Sequence, residues 1–167
     1  MQVPFVPTQL RATDPRGDIW CAMSDRYEVT RIRGSDDVAL AVARGTASAL
    51  PVSRAERDSV VESLRKLLAP FGGIGKVDLS LIPSAKPVRV ALDVDDRGRL
   101  WVRYQGADAG RTEFDVFDDQ GRALGAVSAP FRIPPDARVQ VRGDLMYTVA
   151  LGEDDVPYVI RARVHAR

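Results

Sequence analysis

Three segments of the chain repeat one pattern, and this repeat limits the possible folds more than any other feature. Residues 15–33 run PRGDIWCAMSDRYEVTRIR, residues 96–118 run DRGRLWVRYQGADAGRTEFDVFD, and residues 142–164 run RGDLMYTVALGEDDVPYVIRARV. Each opens on a glycine turn (Gly17, Gly98, Gly143) and continues as an apolar run carrying a large residue (Trp20, Trp101, Met146 with Tyr147). A polar loop follows, then an alternating strand around Tyr27 and Val29, Phe114 and Val116, or Tyr158 and Ile160. Met146 follows Trp101 by 45 residues, whereas Trp101 follows Trp20 by 81. The surplus of 36 residues matches an interruption over 46–81 whose pattern is helical.

Within that interruption, Ser53, Arg54, Ala55 and Glu56 form a capping box, in which hydroxyl and carboxylate each satisfy an orphan backbone N–H. Val60, Val61, Leu64, Leu67 and Leu68 recur at helical spacing, and Pro70 with Gly72 and Gly73 stops the run. The spacing predicts one α-helix near residues 53–69. Elsewhere short alternating runs lie between turns rich in Asp and Gly, residues that tolerate left-handed backbone angles. Strands are predicted over 9–12, 18–23, 27–33 and 38–43 in the first repeat. The second gives 88–95, 100–104, 113–117 and 123–127; the third gives 137–141, 145–151 and 157–164. The extended residues Gln2 to Val6 are expected to supply the third repeat's missing fourth strand. Four antiparallel strands in about 45 residues is the module of a propeller blade. The expected fold is all-β: one domain over 1–167, with about three four-stranded β-propeller-type blades and a helical insertion at 46–81.

The run VALDVDDRGRLWV (90–102), followed by FDVFDDQGRALGAV (114–127), resembles the blade signature of NHL-like six-bladed β-propellers, especially a bacterial, mostly exported group. The resemblance extends more weakly over 5–44 and 80–165. It implies a blade register and a periplasmic or extracellular setting, and it assigns no active site. The chain carries about half the blades of that family.

Composition supports a folded core and excludes several classes. Of 167 residues, 45% are hydrophobic and 28% charged, as in ordinary globular proteins, so disorder and fibrous assemblies are excluded. A formal charge of +1 supplies no global field for nucleic acid or anionic membrane. Cys21 is the only cysteine, which leaves no intramolecular disulfide and no thiolate metal cage. His165 is the only histidine and lies two places from the end, a poor anchor for a metal site or a Ser-His-Asp triad. No apolar stretch reaches the ~20 residues of a membrane span. The opening MQVPFVPTQL lacks the regions of a signal peptide, so the chain as written is expected to stay in the cytoplasm.

Several motifs invite a chemical reading. Asp93, Asp95 and Asp96 before Gly98, and Asp115, Asp118 and Asp119 before Gly121, resemble the first half of a calcium loop. No glutamate closes either at the required spacing, so hairpin-turn chemistry is the better reading. Gly72, Gly73, Ile74, Gly75 and Lys76 follow a helix instead of opening one, so they stop a helix and cradle no phosphate. Arg161, Arg163, His165 and Arg167 alternate with apolar residues, a basic stripe on one strand face. It reads as a solvated outer strand, or as a surface for an acidic partner. Trp20 and Trp101 hold matched places and read as packing between stacked sheets. Ser24, Ser53 and Ser128 have no base at hand.

The expected function is a non-enzymatic interaction or ligand-binding module, completed by self-association into a homodimer or by further blades of a longer chain. No cofactor, metal or catalytic residue is assigned, and neither nucleic acid nor membrane is expected as a partner. A propeller ligand site would lie on rim loops joining second and third strands, which carry Asp25, Arg26, Asp108, Arg111, Asp154 and Asp155 and suit a small polar ligand or a protein. The alternative is a metal-dependent propeller hydrolase or lyase working at the central axis.

Overall fold

The computed structural model describes residues 5–34, 37–43, 50–87, 89–104, 110–152, 154 and 156–165. Strands β1 (Gln9–Thr13), β2 (Ile19–Met23), β3 (Glu28–Arg33) and β4 (Asp37–Ala43) form a first antiparallel sheet in chain order. After the insertion, β5 (Arg89–Val94), β6 (Leu100–Tyr104), β7 (Thr112–Phe117) and β8 (Ala123–Ala129) form a second in the same way. A third holds β9 (Gln140–Arg142), β10 (Leu145–Leu151) and β11 (Pro157–Arg163). The first strands of the three sheets are neighbours in space, β1 beside β5 and β5 beside β9.

Local turn chemistry sets these boundaries. Three hairpins use the same five-residue loop, beginning at Asp14, Asp95 and Asp118. In each, the aspartate Oδ1 accepts the backbone N–H groups two and four residues on: Arg16 and Asp18, Arg97 and Arg99, Gln120 and Arg122, all at 2.8–3.0 Å. The fourth loop position has positive φ and is glycine each time, Gly17, Gly98 and Gly121, where a side chain would be strained. The third repeat lacks that aspartate. Its tighter turn is served from the second sheet instead, with Gly143 N–H donating to the Asp96 carboxylate at 3.1 Å.

The middle sheet is buried on both faces. Trp20, Ala22, Tyr27 and Val29 of the first sheet pack on Leu92, Leu100, Val102 and Phe117 of the second. On the opposite face Trp101, Phe114 and Val116 meet Val139, Val141 and Met146 of the third. Trp101 and Phe114 touch edge to face at 5.8 Å. Both tryptophans are therefore packing residues. The two interfaces nevertheless differ. The Trp20 face lies on the face of β6 opposite to Trp101, whereas the Trp101 face meets the equivalent Met146 face of the third sheet. The stack thus ends in the face opposite Trp20 on one side and in the Tyr147 face, opposite Met146, on the other.

The insertion folds on itself. Its helix α1 spans Arg54–Leu68 with the predicted Ser53–Glu56 capping box in place. Gly72 ends the following 3₁₀ turn at φ 95°, and Gly73 N–H returns to Leu68 O at 3.0 Å. Two further 3₁₀ turns, Ile74–Lys76 and Leu79–Leu81, were not anticipated. Arg57 clamps this return by donating to the carbonyls of Leu79 and Ile82. Of the predicted strand over Gln2 to Val6, residues 2–4 lie outside the described residues, Phe5 takes a left-handed turn, and Val6 belongs to no strand.

The first interface carries a fully buried ion pair. Arg31 Nη2 donates to Asp14 Oδ2 at 2.6 Å, both side chains about 1% exposed, and pairs with Asp18 at 2.9 Å. Its Nη1 reaches Asp119 O of the second sheet at 2.7 Å, and its guanidinium lies over the Trp20 ring. Removing one partner of such a pair strands the other's charge in the core. Arg31→Met is expected to lower unfolding free energy by about 3–5 kcal/mol, against under ~1 kcal/mol for Arg33→Met at the exposed neighbour. Urea denaturation of both variants checks this; equal losses would mean that the buried pair is not what the interface rests on.

Candidate functional site

The rim loops sit where topology demands, at the turns joining β2 to β3, β6 to β7 and β10 to β11. Asp25 and Arg26 are exposed and form an ion pair with each other at 3.7 Å. Asp154 is exposed in the last turn, and Arg111 is exposed at the approach to β7. Asp108 and Asp155 lie outside the described residues. Among the described residues, no hydrogen bond or ion pair joins one of these loops to another. The described loop residues therefore present separate polar groups, and Arg111 lines a concave surface.

That surface is a groove between β8, the outer strand of the second sheet, and β11, the outer strand of the third. Two adjoining hollows of about 440 and 430 Å³ share Ala126, Val127, Val164 and His165. The floor is apolar, with Phe131 and Met146 towards one end and Trp101 and Leu124 towards the other. Four arginines line the walls, Arg97, Arg99, Arg111 and Arg163, against Glu113 and Asp144. Arg99 is bound to Asp95 and Arg163 to Asp144, while Glu113 accepts from the Ser128 hydroxyl. No ion pair holds Arg97 or Arg111 among the described residues. The sequence pointed to the rim and missed this groove, although the basic alternation reached one wall of it at Arg163 and His165.

The acidic turns are occupied by their own loops. Asp95 spends Oδ1 on two backbone N–H groups and Oδ2 on Arg99 Nε (2.5 Å) and the Trp101 indole N–H (3.1 Å). Asp118 does the same with Arg122, and hydrogen bonds from the Arg122 backbone hold its pKa below the usual carboxylate value. Among the described residues, no three His, Cys, Asp or Glu side chains converge as a metal-ligand set.

One titratable pair is out of balance. Arg103 donates to the carbonyls of Pro134, Pro135 and Ala137, binding the second sheet to the segment before β9. Asp93 nearby accepts Val139 N–H at 3.3 Å on Oδ1, while its buried Oδ2 has no partner. Burial raises the Asp93 pKa from 3.8 to about 6, against the pull of the Arg103 charge and the Val139 N–H. The folded state thus holds this proton more tightly than the unfolded chain does. The associated stability is complete below pH 3.8 and is lost as pH rises through about 6. Asp93→Asn is expected to remove that loss, worth up to roughly 3 kcal/mol. Unfolding free energies of parent and variant across pH 3.5–7 give the difference; a gap that does not widen with pH would show that Asp93 ionises freely.

Comparison with known proteins adds no assignment to this geometry: no family model matches the chain, and no curated protein does.

Proposed function

We propose that the chain is a non-enzymatic interaction or ligand-binding module of β-propeller type, completed by self-association. The supporting observation is the state of the two end faces. Ile19 and Met23 are exposed on the outer face of the first sheet, with Cys21 and Ile32 half-buried beside them. On the outer face of the third sheet Leu145, Tyr147, Val149 and Leu151 are only half-buried, and Val159 is 84% exposed. Soluble monomers rarely expose apolar surface in contiguous patches of this kind. Two copies about a two-fold axis bury both faces at once, the first sheet of each against the third sheet of the other. Further blades of a longer chain would serve the same purpose.

Among the described residues no three carboxylate, histidine or cysteine side chains converge for a metal-dependent hydrolase, and Asp95 and Asp118 are already engaged by their own loops.

Light scattering on a size-exclusion column is expected to give about twice 18.3 kDa, and Val159→Lys is expected to return the mass to a monomer's. A monomer at tens of micromolar for the parent chain would remove the self-association reading.

A further inference from the structure

We infer that the groove between β8 and β11 is an acceptor for an extended acidic segment of another protein, which adds to β11 as a fourth strand. Three observations converge on this placement. Among the described residues the first two sheets have four strands each and the third has three, with β11 at its edge. All seven β11 residues pair with β10 on one side, leaving the backbone groups of the other edge without a strand partner among the described residues. The hollow at that edge is walled on its far side by β8, the fourth strand of the adjacent sheet. The groove therefore has the position that a fourth strand would fill.

Edge strands that must stay single are defended by inward-pointing charge, bulges or covering segments. Here the charge is predominantly basic, four arginines against Glu113 and the Asp144 that Arg163 engages. Arg161 and Arg163 are exposed along β11, and Arg97 and Arg111 stand on the opposite wall without ion-pair partners among the described residues. Such an edge repels a basic strand and its own copy, and selects a strand carrying carboxylates. The apolar floor at Ala126, Val127, Met146 and Val164 takes the alternate side chains. Strand addition draws affinity from main-chain hydrogen bonds and specificity from alternate side-chain pockets. An occupant of seven residues, valine or threonine alternating with aspartate or glutamate, satisfies both demands.

This inference rests on the edge of β11 and the hollow beside it, and it shares with the end-face reading only the outward side chains of β11. The probe is a fluorescein-labelled heptapeptide, Thr-Val-Glu-Val-Asp-Val-Glu, titrated with the full chain and followed by fluorescence anisotropy. Saturable binding is expected, weakening with salt and falling about tenfold or more in the Arg97→Glu, Arg111→Glu double variant with an unchanged melting temperature. The same peptide N-methylated at alternate amides, in both phases of alternation, is expected not to bind. Retained binding by both methylated peptides, or equal binding by a lysine counterpart, would overturn the proposal. So would no binding by the acidic peptide, including the case in which a second copy of the chain occupies the edge. A monomeric mass would end the self-association reading without touching this one, and peptide failure would leave the end faces as they are.

Discussion

A guanidinium without water organises the first half of this molecule. Arg31 projects from β3 into the space between two sheets, where a lone charge would cost several kcal/mol. Asp14 and Asp18 neutralise it from the hairpin at the end of β1, and Asp119 O receives it from the second sheet. One side chain therefore fixes a turn, the spacing of two sheets and the orientation of the Trp20 ring beneath it. Arg103 plays the corresponding part in the second half with neutral carbonyls as its partners. The two solutions differ in electrostatics. The first has a charge partner in contact, and the second leaves a half-satisfied Asp93 nearby.

Much of the secondary structure was legible because turn chemistry is local. The Asp-to-Gly loops at 14–17, 95–98 and 118–121 carry their own hydrogen bonds, so strand limits read from them agree with the observed ones to within a few residues. The Ser53–Glu56 box is equally local, and the helix begins there. The buried arginines were not seen, because an arginine in an alternating strand resembles a solvated one. A signal was nevertheless present: Arg31 shares a face with Tyr27 and Val29, and Arg103 lies two residues beyond Trp101, on the buried side. The relative orientation of sheets was not legible at all. A repeat fixes which residues share a face, but not which neighbouring face that side meets. For that reason the contact between the Trp101 and Met146 faces emerges only in three dimensions.

The candidate sites show the same limit. Loops named from topology join equivalent strands, but equivalence along the chain does not make residues converge: Asp25 meets its neighbour Arg26, and no ion pair joins either to Asp154 among the described residues. Arg111 gained a setting because residues of β8 and β11 line a hollow beside it. Its importance depends on the distance between two outer strands, a quantity that no spacing in the sequence encodes. Small residues on β8, such as Gly125 and Ala126, keep that hollow open.

The neck of the insertion has a different kind of consequence. Pro51 and Ala85 form an isolated bridge, Val52 N–H donates to Ser84 O, and Lys86 N–H donates to Leu50 O, so the segment leaves and returns at one place. Closing a loop costs only about 0.6 kcal/mol more for each doubling of its length. Closure at the neck thus depends little on how many residues lie beyond it. The helix can be lengthened, exchanged for another folded unit or trimmed to a turn with little strain on β4 or β5. The neck is in that sense a splice point, where surface can be added at little closure cost.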